Sequence, residues 1–225
     1  MRAILKYDLI KRLIDFIFGI VCLLVALPVI LVVSIIMAIE TKKTPIFVQQ
    51  RGITVTTGKV KIFKLRTMKN GDKLLQMEKQ INNIFVKPSL AGFIPPIGSF
   101  LRRTGIDEIP QLINVIKGEM SFIGPRPLTI SDLELMKKAT PEFYSQRANL
   151  KSKPGISGLW QVVGERDKGT ENLLFLDQLY DKKKGLLLDL RLMFETTILM
   201  LSGKNQDAIT NSKIKKTHSL DKYFN

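Results

Sequence analysis

The strongest local constellation of reactive side chains runs from Leu101 to Gln111, with Arg102, Arg103, Asp107 and Glu108 close together. Asp107 to Gly118 reads as a helix start and body. Pro110 suits the first helical position, where its missing N–H costs nothing, and Gly118 suits the terminator. Unpaired amides and the helix dipole at such a start favour negative charge, whether a carboxylate or a phosphate. Phosphoryl transfer needs parts of this kind: cations for the equatorial oxygens, a metal to bridge them, and a nucleophile or base in line. Adjacent helical residues do not share a face, so Asp107 and Glu108 would divide the work, one on phosphorus and one on the metal. Acidic residues also stand in first helical turns simply as caps, and this window alone leaves the two readings level.

Three other windows add cations and close backbone. Lys64 and Arg66 end a strand on one side. Gly124-Pro125-Arg126-Pro127 carries an arginine on a stiff frame. Gly155 to Gln161 offers close backbone approach, Trp160 and the amide of Gln161. Singly, these read as a solvated basic pair and ordinary turns. Together they describe a cationic cleft for a nucleoside diphosphate and a lipid phosphate. The only histidine is His218, near the end of the chain, so a His-based zinc site or a Ser-His-Asp triad is out of reach within one chain. Cys22 is the only cysteine. Disulfides within the chain are therefore excluded, which fits a reducing compartment.

The elements that must position these residues follow from local pattern. Ile46 to Val48 and Val60 to Leu65 read as strands, with Gly58 turning between them. Lys73 to Phe85 reads as a helix, and Ser89 to Phe100 as an apolar loop broken by Gly92, Pro95, Pro96 and Gly98. Asp132 to Ala139 and Pro141 to Leu150 read as short helices. Asn172 to Lys184 and Leu187 to Leu201 read as amphipathic ones.

Ahead of all this lies one uncharged apolar run, Phe16 to Ile39, with Pro28 near its middle. Its 24 residues reach about 36 Å as a helix, enough to cross a bilayer. Lys11 and Arg12 precede it, and Lys42 and Lys43 follow it. Positive flanks prefer the cytoplasmic side, and a straight crossing would put one flank on the wrong side. Proline interrupts an interior helix and kinks it. The pattern therefore favours a re-entrant anchor that breaks at Pro28 and returns to the same face, over a kinked transmembrane helix.

The chain has 225 residues and a net charge of +15. Such charge suits an anionic partner, and the anchor makes the anionic inner leaflet of a membrane the first choice, at roughly 1 kcal/mol per basic residue near the lipid. Nucleic acid is set aside, because no helix-turn-helix, zinc-finger or RNA-recognition signature is present. The expected organisation is a membrane anchor over 1–40, a catalytic domain over 41–201 and a basic, flexible tail over 202–225. The fold class is α+β and helix-rich: one membrane-associated domain with a small β element.

These residues, taken in order, resemble the monotopic phosphoglycosyl transferases, the bacterial sugar transferases that load a sugar phosphate onto a polyprenol phosphate. The matching pieces are Lys11-Arg12-x-x-Asp15, Phe47-x-Gln49-x-Arg51, Phe63-Lys64-x-Arg66-Thr67-Met68, Leu101-Arg102, and Asp107-Glu108-x-Pro110-Gln111-Leu112-x-Asn114. They continue through Gly124-Pro125-Arg126-Pro127, Lys153-Pro154-Gly155-Ile156-x-Gly158-Leu159-x-Gln161, Asp177, Tyr180 and Asp189. The resemblance implies a small, minimal enzyme on the cytoplasmic face of the bacterial cytoplasmic membrane. Its substrates would be a UDP-sugar and undecaprenyl phosphate, and its cofactor magnesium. It implies Asp107 as nucleophile and Glu108 as metal ligand. Arg102 and Arg126 would hold phosphates, Lys64 would support the carboxylate pair, and Pro127 and Gln161 would frame nucleotide and sugar. The product would initiate a surface glycan such as a capsule or exopolysaccharide.

The sequence departs from the family pattern in places. Leu27 stands where serine often precedes the anchor proline, Pro95-Pro96 replaces a polar lead, and Gly164-Glu165-Arg166 stands where sugar preference is set. The sugar, the pathway and the oligomeric state, homodimer included, stay open at this level. A non-catalytic membrane adaptor is the competing class. The intact set of Asp107, Glu108, Lys64, Arg102 and Arg126 argues against it.

Overall fold

A computed structural model describes residues 2–69, 92–203 and 223 of the chain. The helix expected over Lys73 to Phe85, the first part of the apolar loop, and nearly all of the tail lie outside these residues. Tyr223 alone of the distal tail is described. Its ring is buried, with the Arg191 guanidinium 5.0 Å from its centroid.

The apolar run and its lead-in form one helix, α1 (Arg2–Thr41). The structure differs from the break expected at Pro28: the helix runs continuously through the proline. Pro28 still lacks an N–H, so the Leu24 carbonyl loses its helical donor at that turn. Most of the large apolar side chains along α1 are exposed, among them Phe16, Ile17, Val21, Leu24, Val32 and Ile35.

Both ends of α1 are fastened to the rest of the protein. At the near end, Tyr7 Oη and Lys11 Nζ donate to Asp189 Oδ2 at 2.8 and 2.7 Å, and the Phe122 amide donates to Asp15 Oδ1 at 3.3 Å. At the far end, Met37 and Thr41 are buried and Lys69 pairs with Glu40 at 2.6 Å.

Beyond α1 the chain reverses into a hairpin, β1 (Ile46–Gly52) and β2 (Val60–Leu65), antiparallel with Phe47 opposite Lys64. The next described helix is α2 (Pro96–Thr104). This corrects the expected loop, which ran to Phe100. Pro95 is extended at φ −65° and ψ 159°, and Pro96 takes the first turn, where a missing N–H is harmless. After it come a 3-10 helix (Ile106–Gln111), α3 (Leu112–Lys117) and the short strands β3 (Ser121–Ile123) and β4 (Leu128–Thr129). Helices α4 (Ile130–Ala139) and α5 (Pro141–Arg147) follow, then β5 (Gly155–Ser157) and α6 (Leu159–Val163). The last helices are α7 (Gly169–Lys183) and α8 (Leu186–Leu201).

Strand β4 extends the hairpin on the other edge of β1, while β3 and β5 form a separate parallel pair. The helix-rich α+β class is therefore as expected. The main core gathers Ile123, Leu133, Trp160, Leu173, Tyr180 and Leu192 from β3, α4 and α6 to α8. A smaller cluster, Val60, Ile62, Val115 and Met120, seats α3 on the hairpin.

On α7, Asp181 ties down the chain leading into β5. It accepts the Lys151 and Ser152 amides at 3.1 and 2.9 Å and the Ser152 hydroxyl at 2.5 Å. Burial pushes this carboxyl up, but those donors and Lys184 outweigh it, and its pKa is lowered. A lowered folded value means the stabilisation is complete above the unfolded carboxylate value, about 3.9, and disappears as pH falls through the folded value. Asp181→Asn should therefore lower the melting temperature at pH 7 but have little effect near pH 2, as read by thermal denaturation across that range.

Candidate active site

The acidic pair sits in the 3-10 helix, ahead of α3 and not in its first turn. This corrects the placement of Pro110, which lies inside the 3-10 segment, with Leu112 as the first α-helical residue. The tighter segment closes with bonds three residues apart, as in the Glu108 amide to Gly105 carbonyl bond at 3.0 Å. Gly105 starts it with φ 70°, a left-handed conformation that glycine adopts without steric cost. Asp107 is buried and Glu108 half-buried.

Lys64, on β2, forms an ion pair with Glu108 in which both side chains are largely shielded from solvent. The register of this pair depends on Asn114, which sequence reasoning met only as part of a motif. Asn114 is fully buried; it accepts the Phe63 amide at 3.4 Å and donates to the Lys61 carbonyl at 2.8 Å and to Glu119 at 2.7 Å. It thus fastens the helix after the acidic pair to the strand that carries Lys64. At the other end of α3, Arg12 of α1 donates to the Val115 and Ile116 carbonyls, both at 2.7 Å. A cation on the terminal carbonyls of a helix is a favourable cap. Helix α1 therefore braces the helix that follows the acidic pair.

Arg102, in the last turn of α2, places Nη1 3.6 Å from Met68 Sδ, just beyond β2. Arg66 is engaged elsewhere. It donates to the Thr44 carbonyl at 2.7 Å and lies over the Phe47 ring at 5.6 Å, bracing the segment that leaves α1.

The second group forms around the loop between β3 and β4. Gly124, Gly155 and Gly158 bring three backbone stretches into contact. A Cβ on Gly124 would sit 2.2 Å from the Lys153 carbonyl oxygen, and one on Gly158 would sit 2.1 Å from that of Gly124. This packing holds Arg126 over the Trp160 ring at 5.0 Å, with Gln161 next on α6. The Pro127 carbonyl accepts from Arg51 at 3.3 Å. Behind the loop lies a residue that sequence reasoning missed, Arg147, fully buried at the end of α5. Its guanidinium donates to Asp177 Oδ2 at 2.6 Å, to the Arg126 carbonyl at 2.6 Å and to the Ile53 carbonyl at 3.1 Å. Burial pushes the Asp177 carboxyl up, against the pull of Arg147 and the Arg126 amide. Arg147 carried no motif signal. Only its position three residues before the turn at Leu150 marked it, and that is equally a surface position.

The structure thus shows two groups: a buried carboxylate beside a Lys-Glu pair, and an arginine on a close-packed glycine frame. Among the described residues no group of three or more His, Cys, Asp or Glu side chains is placed to hold a metal. Magnesium is commonly held by one or two carboxylates together with waters and substrate phosphates. Glu108 can serve, because Lys64 takes its Oε1 and Oε2 remains available.

Comparison with known proteins adds the lineage. The profile of the bacterial sugar transferase family matches residues 6–203. The chain is 34% identical over 201 residues to the exopolysaccharide production protein ExoY of Sinorhizobium fredii, covering 83% of each chain. It is 33% identical over 194 residues to a UDP-glucose:undecaprenyl-phosphate glucose-1-phosphate transferase of Klebsiella pneumoniae, covering 83% of this chain and 39% of that one. It is 39% identical over 108 residues to the undecaprenyl-phosphate galactose phosphotransferase of Salmonella typhimurium, covering 48% of this chain and 21% of that one.

Proposed function

The chain belongs to the bacterial sugar transferase family, and from that premise we propose that it moves a sugar 1-phosphate from a UDP-sugar to undecaprenyl phosphate, releasing UMP. The observation that carries the reading is the buried Asp107 held next to the Lys64–Glu108 pair. The relatives named above act on different sugars, so the proposal covers UDP-sugars as a class.

The reaction proceeds in two displacements. An Asp107 carboxylate oxygen attacks the β-phosphorus, the bond from that phosphorus to the bridging oxygen breaks, and UMP leaves with the bridging oxygen. A phosphate oxygen of the polyprenol then attacks the same phosphorus. The phosphorus–aspartate bond breaks, and Asp107 returns as a carboxylate. Splitting one hard transfer into two in this way predicts ping-pong kinetics. Lys64 orients Glu108, and Arg102 and Arg126 neutralise the phosphates. Glu108 is the residue that would hold a magnesium ion, which would supply further charge neutralisation on the donor. The product would feed exopolysaccharide or capsule assembly. The test is UMP release by purified protein with magnesium, undecaprenyl phosphate and a panel of UDP-sugars. Repeated turnover that requires the lipid is expected, with at most about one equivalent of UMP per protein released in its absence; none from folded protein with any donor would overturn the reading.

The lipid substrate needs a membrane address, and α1 supplies one. Two features favour insertion from one side: both ends of α1 are fastened to the catalytic domain, and both flanks are basic. Helix α8 supports this, with Leu187, Leu190, Phe194, Ile198 and Leu201 exposed in a stripe at helical spacing. Reporter tags placed before Lys11 and after Asn225 should both be shielded from external protease in intact cells. Opposite accessibility would sink one-sided insertion and leave the chemistry intact.

A further inference from the structure

We propose that Arg147 and Asp177 are positioning residues for the donor diphosphate, acting through the backbone of Arg126. This inference rests on the transferase reading and deepens it. The geometry is a closed ring. Arg126 N–H donates to Asp177 Oδ1 at 3.3 Å, Asp177 Oδ2 accepts Arg147 Nη1 at 2.6 Å, and Arg147 Nη2 donates to the Arg126 carbonyl at 2.6 Å. Both backbone polar groups of one loop residue are therefore held by one ion pair, and both members of that pair are at most 1% exposed. Arg147 Nε ties the assembly to the Ile53 carbonyl just past β1.

A buried ion pair is a poor device for stability alone, because apolar residues of similar volume often do as well. It is a good device for fixing geometry. Pro125 and Pro127 have their φ angles locked by their rings, and a residue before proline is kept out of the α region. The freedom left in the loop is the orientation of the two peptide units at Arg126, and those are the units the ring holds. The guanidinium of Arg126, lying over Trp160, therefore projects from a rigid root. Arginine suits position 147 because its planar fork reaches the carboxylate and the carbonyl together, which lysine, a point charge, does not do.

The test is a double-mutant cycle in the full chain. It uses Arg147→Lys and Asp177→Asn, each alone and combined with Arg126→Ala, with initial rates of UMP release against UDP-sugar and against undecaprenyl phosphate. Arg147→Lys should lower kcat/KM for the donor by about 10- to 100-fold, the usual cost of misplacing a binding group by about 1 Å. It should leave the KM for the lipid within about twofold of wild type. On top of Arg126→Ala either change should cost less than about twofold further, since residues acting through one group are not additive. Melting curves show which variants are folded, and either variant alone suffices to close the cycle. Additive losses, or equal effects on donor and lipid, would overturn the positioning role while leaving the transferase reading standing. A wild-type protein that releases no UMP would remove both.

Discussion

Asp107→Asn is expected to reduce UMP release by at least about 1,000-fold, a loss near 4 kcal/mol of transition-state stabilisation. Asparagine keeps the size and the neutral hydrogen-bonding capacity of the side chain but is not a nucleophile, so the loss falls on kcat and not on folding. The site is built to tolerate the exchange sterically, since Asp107 is buried in a short 3-10 segment whose start is set by Gly105 and whose continuation is fastened by Asn114. The melting temperature should stay near that of the wild type. Two measurements check the claim: UMP release in the presence and absence of undecaprenyl phosphate, and intact-protein mass spectrometry after UDP-sugar alone. The wild type should gain the mass of one sugar phosphate and the variant none. Normal turnover by the variant would remove the covalent step and leave direct transfer between the substrates.

Gly124→Ala is expected to be among the most damaging small substitutions outside the acidic pair. Its Cβ would lie 2.2 Å from the Lys153 carbonyl oxygen and 2.8 Å from the Gly155 nitrogen. Both obstacles are backbone, so no side chain can rotate away. Overpacking of this kind costs about 1–3 kcal/mol, which for a chain of this size lowers the melting temperature by roughly 2–12 °C. Because Gly124 begins the loop that presents Arg126, donor kcat/KM should fall even where the protein remains folded. Gly185→Ala is the matched comparison. It has an extended backbone at φ −170° and no heavy atom within 4 Å of the added carbon, so it should shift stability by less than about 0.5 kcal/mol. Differential scanning calorimetry of the two variants decides the point, and equal shifts would refute the packing argument.

Much of this protein was legible along the chain because its signals are local. The apolar run with its basic flanks, the alternation of Val60 to Leu65, the helical spacing of Leu187 to Leu201 and the glycine stop at Gly118 each depend on neighbours a few residues away. The acidic pair, the cations and the absence of usable histidine were enough to suggest phosphate chemistry, and the motif run to suggest the family that the comparisons bear out. Helix type and helix continuity were less legible. Proline reads alike as a starter, a breaker or a 3-10 residue, and so the start of α2, the 3-10 segment at Pro110 and the unbroken α1 differed from expectation.

The sequence by itself determined the long apolar helix, the charge, the class of chemistry and the residues to suspect. Only the tertiary structure decided their pairings: Lys64 to Glu108, Arg66 to Thr44, Arg12 to the end of α3, and Arg147 with Asp177 around Arg126. The reason is physical. Each of these contacts joins residues more than twenty positions apart, and a buried charge leaves no local pattern to mark it. Its partner is set by how helices and strands pack, because inside a protein a polar group must find a partner wherever the fold places one.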